Sequence, residues 1–249
     1  MDTEQLQNIK RETTRESQLE EMRKGRQFLK YTFFKILPSW RSVSDQKRVN
    51  AKESFRKVVD KYTKQMIVKP YSLFGTRGDC DFMLWTISEG LEDFQEFISE
   101  IFKSEIGEFL SIAYSYLSMT RKSEYIKGHR HPGQEGESLK RVPADSKYLF
   151  VYPFVKKREW YNLPMEERQR MMIEHIRIGH KYPTVKINTS YSFGLDDQEF
   201  VLGFESNYPS DFLELVMELR SSQASRYTQL ETPLFTCISV TLNELLELF

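Results

Sequence analysis

Residues 81–94 read DFMLWTISEGLEDF, and residues 199–212 read EFVLGFESNYPSDF. Each opens with an acid and a phenylalanine, runs through an apolar stretch, turns, and reaches an Asp-Phe pair at the same internal spacing. That is a strand followed by the start of a helix, written twice. Upstream of the first copy, 26–37 (RQFLKYTFFKIL) is rich in aromatic and β-branched residues and reads as a strand, ended by Pro38-Ser39. Residues 51–62 carry Phe55, Val58, Val59 and Tyr62 at helical spacing. Strands follow at 66–73 and 82–87, joined through the turn Gly75-Thr76-Arg77-Gly78-Asp79. A helix at 92–102 puts Phe94, Phe97, Ile98 and Ile101 on one face, and 109–119 is a closing strand. The order is β-α-β-β-α-β.

The second half repeats it. A strand at 147–156 precedes a helix at 165–178, and 185–193 and 199–204 form a hairpin across Gly194-Leu195-Asp196-Asp197. A helix at 210–219 turns Phe212, Leu215, Val216 and Leu219 inward, and a strand at 234–240 precedes a short terminal helix. Tyr31-Thr32-Phe33-Phe34-Lys35 also echoes Tyr152-Pro153-Phe154-Val155-Lys156. The expected fold is α+β: two tandem ferredoxin-like units with sheets joined edge to edge and helices outside. The expected layout is an arm at 1–25, a first unit at 26–120, a linker at 121–146 and a second unit at 147–249. The arm, with eleven charged residues in 25, reads equally as a disordered tail.

Composition bounds the function. The chain has 249 residues with Lys+Arg 36 and Asp+Glu 36, a net charge of zero that argues against a dedicated nucleic-acid partner. Its longest apolar run, 148–155, is broken by Pro153 and is too short for a membrane span. The first residues, MDTEQLQNIKRETTRE, are too polar for a signal peptide. Cys80 and Cys237 make neither a disulfide framework nor a zinc site. The expectation is a soluble cytoplasmic protein.

Among chemistry-bearing residues, there is no phosphate loop, because Gly75-Thr76-Arg77-Gly78 lacks the required spacing. His129 and His131 sit in the linker, where a solvated loop is the better reading than a metal site. His175 lies in MMIEHIRIGH (171–180) on a face shared with Met171, Met172 and Gly179. A neutral imidazole there suits a haem iron, although by itself a packed or surface histidine is the better reading. Tyr152 and Lys156 share one strand face with Phe154 between them. Such polar groups on an apolar strand line a cavity or reach solvent at a strand end.

YPFVKKREWYNLPMEERQRMMIEHIRIGHKYP (152–183), SFGLDDQEF (192–200), LVMELRSS (215–222) and SRY (225–227) together resemble the chlorite dismutase superfamily, specifically its coproheme decarboxylase-like branch. The likeness is specific over roughly 147–237 and weaker over 26–120. It implies two tandem ferredoxin-like units with haem only in the second, often assembled as homopentamers. It places the iron ligand on His175, the catalytic strand tyrosine on Tyr152 and its lysine on Lys156, with Phe154 where the branch usually carries Met. It places propionate contacts on Arg141, Arg220 and Ser225.

Two departures bear on activity. The distal arginine of chlorite dismutases falls on Ile187, and the glutamine of many decarboxylases is absent as well. The carboxylate that backs the proximal histidine has no counterpart in Ser221-Ser222-Gln223-Ala224-Ser225, which leaves the imidazole a weaker donor. The resemblance therefore implies peroxide-dependent decarboxylation of coproheme (iron coproporphyrin III) propionates to vinyls in haem b synthesis. Porphyrin and hydrogen peroxide are its partners. The competing readings are a chlorite dismutase or haem peroxidase-like enzyme, which needs a polar distal group that Ile187 does not supply, and a non-catalytic haem-binding or structural relative.

Overall fold

The computed structural model of the chain describes residues 24–125 and 139–249. Most of the expected arm, residues 1–23, lies outside the described residues, as do 126–138 of the expected linker with His129 and His131. The first half runs β1 (Phe28–Ile36), α1 (Asp45–Tyr62), β2 (Ile67–Ser72), β3 (Phe82–Ser88), α2 (Glu92–Lys103) and β4 (Leu110–Met119). The second runs β5 (Tyr148–Lys156), α3 (Arg158–Asn162), α4 (Met165–Gly179), β6 (Val185–Tyr191), β7 (Phe200–Ser206), α5 (Pro209–Arg220), β8 (Thr228–Leu230), β9 (Phe235–Ser239) and α6 (Leu242–Glu247).

Helix α1 begins six residues before the apolar period does. Ser44 caps it by accepting from the Lys47 amide, and Asp45 sits in its first turn. The stretch DQKRVN offers no apolar period, so periodicity could not reveal that turn.

Strand order is β4-β1-β3-β2 in the first half and β6-β7-β5-β9 in the second, all antiparallel. Each half thus has its first and third strands in the centre, as a ferredoxin-like unit requires. The halves join at both edges, through Met119↔Tyr191 and through Tyr71↔Ser239 with Ser72↔Ile238. The two sheets therefore close into a barrel with β8 added alongside β5, which leaves no long free strand edge among these eight strands.

Alternation along each strand then decides what is inside. Leu29, Tyr31, Phe33, Met83, Trp85, Leu149, Val151, Val201, Phe235 and Cys237 fill the barrel. Phe34, Phe82 and Leu84 face outward under α1 and α2, packing on Phe55, Phe94, Phe97 and Ile101. Helix α6, held by a capping box between Thr241 and Glu244, returns Leu245 and Leu246 to this same outer core.

The pairing corrects one part of the sequence echo. Phe34 pairs with Phe82, and Phe154 with Phe200. Since Phe82 and Phe200 correspond in the repeat, Thr32 matches Tyr152, and Tyr31 matches Val151. The Tyr31…Lys35 likeness is one residue out of register, and a one-residue slip exchanges the two faces of a strand. Tyr31 consequently lies inside the barrel, stacked on Trp85 with ring centroids 5.4 Å apart. The repeat accommodates that bulk asymmetrically. Gly203 stands at the position matching Trp85, and a Cβ there would meet the Tyr31 hydroxyl at 3.4 Å. Gly203→Val is expected to lower stability by about 1–3 kcal/mol through overpacking, read as a lower urea midpoint at unchanged slope.

Candidate active site

A cavity of about 310 Å³ lies between the outer sheet face of the second half and helices α4 and α5. Every second residue of three strands lines it: Tyr152, Phe154 and Lys156 of β5; Ile187, Thr189 and Tyr191 of β6; Phe200, Leu202 and Phe204 of β7. The helices contribute Met172, His175, Ile176 and Gly179 from α4, and Val216, Leu219 and Arg220 from α5. Gly179 helps keep the space open, since its missing Cβ would sit 3.5 Å from Ile187 Cδ1.

Pro153 is tolerated in the central strand for a readable reason. β9 pairs with β5 only as far as Val151, and β8 takes over at Val155 across a register shift. Proline occupies the gap between the two partners. On either side of it, Tyr152 and Lys156 share the cavity face, as the alternation predicts.

Tyr152 is 6% exposed and stacks on Phe204, with centroids 5.7 Å apart. Burial holds its phenol well above the ordinary range, with Glu231 reinforcing and Arg220 opposing. Those two charges pair with each other, Arg220 Nη1 to Glu231 Oε1 at 2.5 Å. The Lys156 ammonium engages a different part of the wall. It donates to the Ala224 carbonyl at 3.1 Å and lies 4.3 Å from the centre of the Trp160 ring. Burial lowers it to about 8 against a smaller opposing effect of Glu199.

His175 lines the cavity and is half-buried. Burial lowers it to about 4, and the nearby Lys156 charge pushes the same way. Its charged neighbour is therefore a cation, in keeping with the carboxylate missing from the 221–225 stretch. The imidazole is neutral at neutral pH, the form a metal requires. Of the residues expected beside it on the helix, Met172 and Gly179 line the cavity, whereas Met171 is buried among Trp160 and Ala224. His180, just past the last helical residue, lines the cavity as well.

Because His175 is neutral when folded, the unfolded chain binds more protons between pH 6.5 and about 4. Its contribution to stability is fully present above pH 6.5 and is lost as pH falls toward 4. Lowering the pH from 7 to 5 should cost the apo protein about 2 kcal/mol through this residue. His175→Leu should lose that component, and the difference between the two denaturant titrations at each pH measures it.

Arg141, Arg220 and Ser225 all line the cavity. Arg141 is 5% exposed although it belongs to an irregular segment. The Ser225 hydroxyl donates to the Arg220 carbonyl at 2.7 Å, tying two of the expected contacts to each other. Residues that sequence reasoning missed include Arg121, Ser123, Tyr125, Tyr161, Thr189, Tyr191 and Glu231. Arg121, Ser123 and Tyr125 lie in the expected linker, where no periodicity exists to aim a side chain. Thr189 and Tyr191 were within reach, because they lie two and four residues beyond Ile187 and share its face.

Comparisons with known proteins bear on the family and the fold. A family model described as chlorite dismutase matches residues 48–240. A coproheme decarboxylase from Mycolicibacterium smegmatis is 35% identical over 177 residues, covering 71% of this chain and 74% of that protein. The chlorite dismutase from Candidatus Nitrospira defluvii, solved with imidazole, superposes with a TM-score of 0.80 at 25% identity, over 89% of this chain and 94% of that one. A heme-binding protein from Thermus thermophilus has the same fold, with a TM-score of 0.79 at 24% identity over 89% and 94% of the two chains. A duplicated ferredoxin-like barrel, a cavity between the outer sheet face of its second half and two helices, and sequence kinship across most of the length lead to one conclusion: this chain belongs to the chlorite dismutase family.

Proposed function

We propose that the chain is a haem-pathway oxidoreductase that decarboxylates propionates of coproheme to vinyls with hydrogen peroxide. The observation that carries this reading is a single cavity that holds a buried tyrosine on its sheet wall and a neutral histidine on its helix wall, with arginines among its lining residues. The donor set fits an iron porphyrin. A macrocycle supplies four of the iron's ligands, so the protein needs to offer one imidazole rather than a cluster. None of the clusters of three or more His, Cys, Asp or Glu that hold a bare ion occurs among the described residues. The apolar walls suit the ring, and Arg121, Arg141 and Arg220 suit carboxylates.

The bound iron porphyrin, together with peroxide, supplies the oxidising equivalents. His175 would hold the iron from α4, its imidazole kept neutral chiefly by burial and further by the nearby Lys156 charge. Arg141, Arg220 and Ser225 would hold and orient the propionates. Tyr152, kept protonated by burial, is a hydrogen-atom carrier rather than a phenolate. After losing its phenolic hydrogen it takes one from a propionate β-carbon. Removal of a second electron and departure of carbon dioxide leave the vinyl group, while peroxide is reduced to water. The ammonium of Lys156, lowered to about 8, is suited to exchange a proton near neutral pH.

This reading carries with it an N-terminal unit without haem, assembly as a homopentamer and a cytoplasmic location. No described helix is long and apolar enough to cross a membrane. Light scattering on purified protein tests the assembly.

The deciding experiment loads the protein with ferric coproheme, adds peroxide stepwise and follows the porphyrin by mass spectrometry. Vinyl products are expected. Bound coproheme that yields none would leave a haem-binding or structural relative. Oxygen release from chlorite is expected to be negligible, because Ile187 brings no positive charge to the position where chlorite dismutases carry their distal arginine.

A further inference from the structure

The segment 141–144 has no regular secondary structure, yet its backbone is held by side chains from four separate places in the barrel. Gln27 Oε1, just before β1, accepts from the Arg141 amide at 2.5 Å. Lys186 Nζ of β6 donates to the Val142 carbonyl at 2.8 Å. Lys69 Nζ of β2 donates to the Ala144 carbonyl at 2.6 Å. Glu205 Oε2 of β7 accepts from the Ala144 amide at 2.6 Å. The strands belong to both halves of the molecule, so the grip spans the barrel.

Glu205 is the unusual member. It is 1% exposed, and its pairing opposite Leu149 turns it into the barrel rather than toward the cavity. It also accepts from Asn188 Nδ2 at 2.9 Å and lies 4.0 Å from Lys186 Nζ. A carboxylate in such a place is costly unless it is hydrogen-bonded, and its bonds are spent on the strand wall and on this segment. Three residues before the amide it holds stands Arg141, whose side chain lines the cavity on the other face of the same sheet. Its charge is felt at Tyr31 inside the barrel and at Tyr191 in the cavity wall.

We propose that Glu205 is a positioning residue for the site: by holding the Ala144 amide it fixes the 141–144 segment so that Arg141 meets a carboxylate of the bound porphyrin. The inference rests on the reading of Arg141 as a carboxylate contact. It adds that an irregular segment is given a fixed geometry from the barrel interior, before ligand arrives, by a group that never touches the ligand.

The test measures affinity, not turnover. Ferric coproheme is titrated into the apo protein and followed by the Soret band, and amide hydrogen exchange is measured over 141–145. Glu205→Ala should weaken binding about tenfold and release the Ala144 amide to fast exchange. Glu205→Gln should restore both, because it keeps an acceptor for that amide. Asn188 can turn its amide to suit, since its Oδ1 has no hydrogen-bond partner in the structure. In an Arg141→Ala background, Glu205→Ala should cost no further affinity, whereas a merely structural role would add its full cost. If Glu205→Ala does not fold, Lys69→Met removes another hold on Ala144 and should be non-additive with Arg141→Ala in the same way. Additive losses overturn the positioning role while leaving Arg141 as a contact. Unchanged affinity in Arg141→Ala overturns the reading of Arg141 and the positioning role with it.

Discussion

Tyr152→Phe is expected to bind ferric coproheme nearly as the wild type does and to form no vinyl product at a comparable rate. The ring keeps its stack on Phe204, so the loss in affinity is limited to one hydrogen bond, about 0.5–1.5 kcal/mol, or somewhat more to a charged carboxylate. The phenolic hydrogen, in contrast, is the whole of the proposed transfer step. Burial makes the distinction sharp. A phenol held above its ordinary range stays protonated across the working pH, so no phenolate contributes to binding in the wild type. Stepwise peroxide with mass spectrometry gives the answer. Vinyl products from Tyr152→Phe at the wild-type rate would remove Tyr152 from the mechanism, while an equal collapse of affinity and turnover would make it a binding residue only.

The second large effect is expected at His175. His175→Ala should lose the histidine-ligated Soret signature and weaken iron porphyrin binding by more than the ~10–100-fold that loss of even an outer partner of a metal ligand costs. Added imidazole should restore the signature, because the truncation opens a matching space. His180→Ala should keep it. Both residues line the cavity, so proximity does not separate them. Position does. His175 projects from the body of α4 beside Lys156, whereas His180 follows the helix as its C-cap, with its amide bonded back to Ile176. Equal loss in both variants would mean that the iron is not held from this face of the helix.

Much of the fold was legible because its signals are local. The 81–94 and 199–212 repeat, the turns at Gly75 and Gly194 and the spacing of Phe94, Phe97 and Ile101 each concern residues close along the chain. The one misleading likeness, Tyr31…Lys35 against Tyr152…Lys156, was local as well, but it ignored pairing. Phe34 opposite Phe82 and Phe154 opposite Phe200 set the true register and send Tyr31 into the barrel. In the site, Tyr152, Lys156 and His175 stood out as polar groups on apolar periodic faces. Arg121, Tyr125 and Glu231 did not, since neither an irregular segment nor a strand end gives a side chain a direction.

The amino-acid sequence by itself determined the α+β class, the duplication, the order of elements and the family likeness, since periodicity, turn chemistry and motif spacing are properties of neighbouring residues. The tertiary structure decided that the two sheets close at both edges, which residues face the cavity from the linker, and that His175 is neutral beside a cation. Each of those depends on groups far apart in the chain being packed together: closure on Met119 meeting Tyr191, the backbone of Arg141 on Gln27, and the state of His175 on burial and Lys156. Desolvation and register are set by what surrounds a residue in space, and no window along the chain contains that.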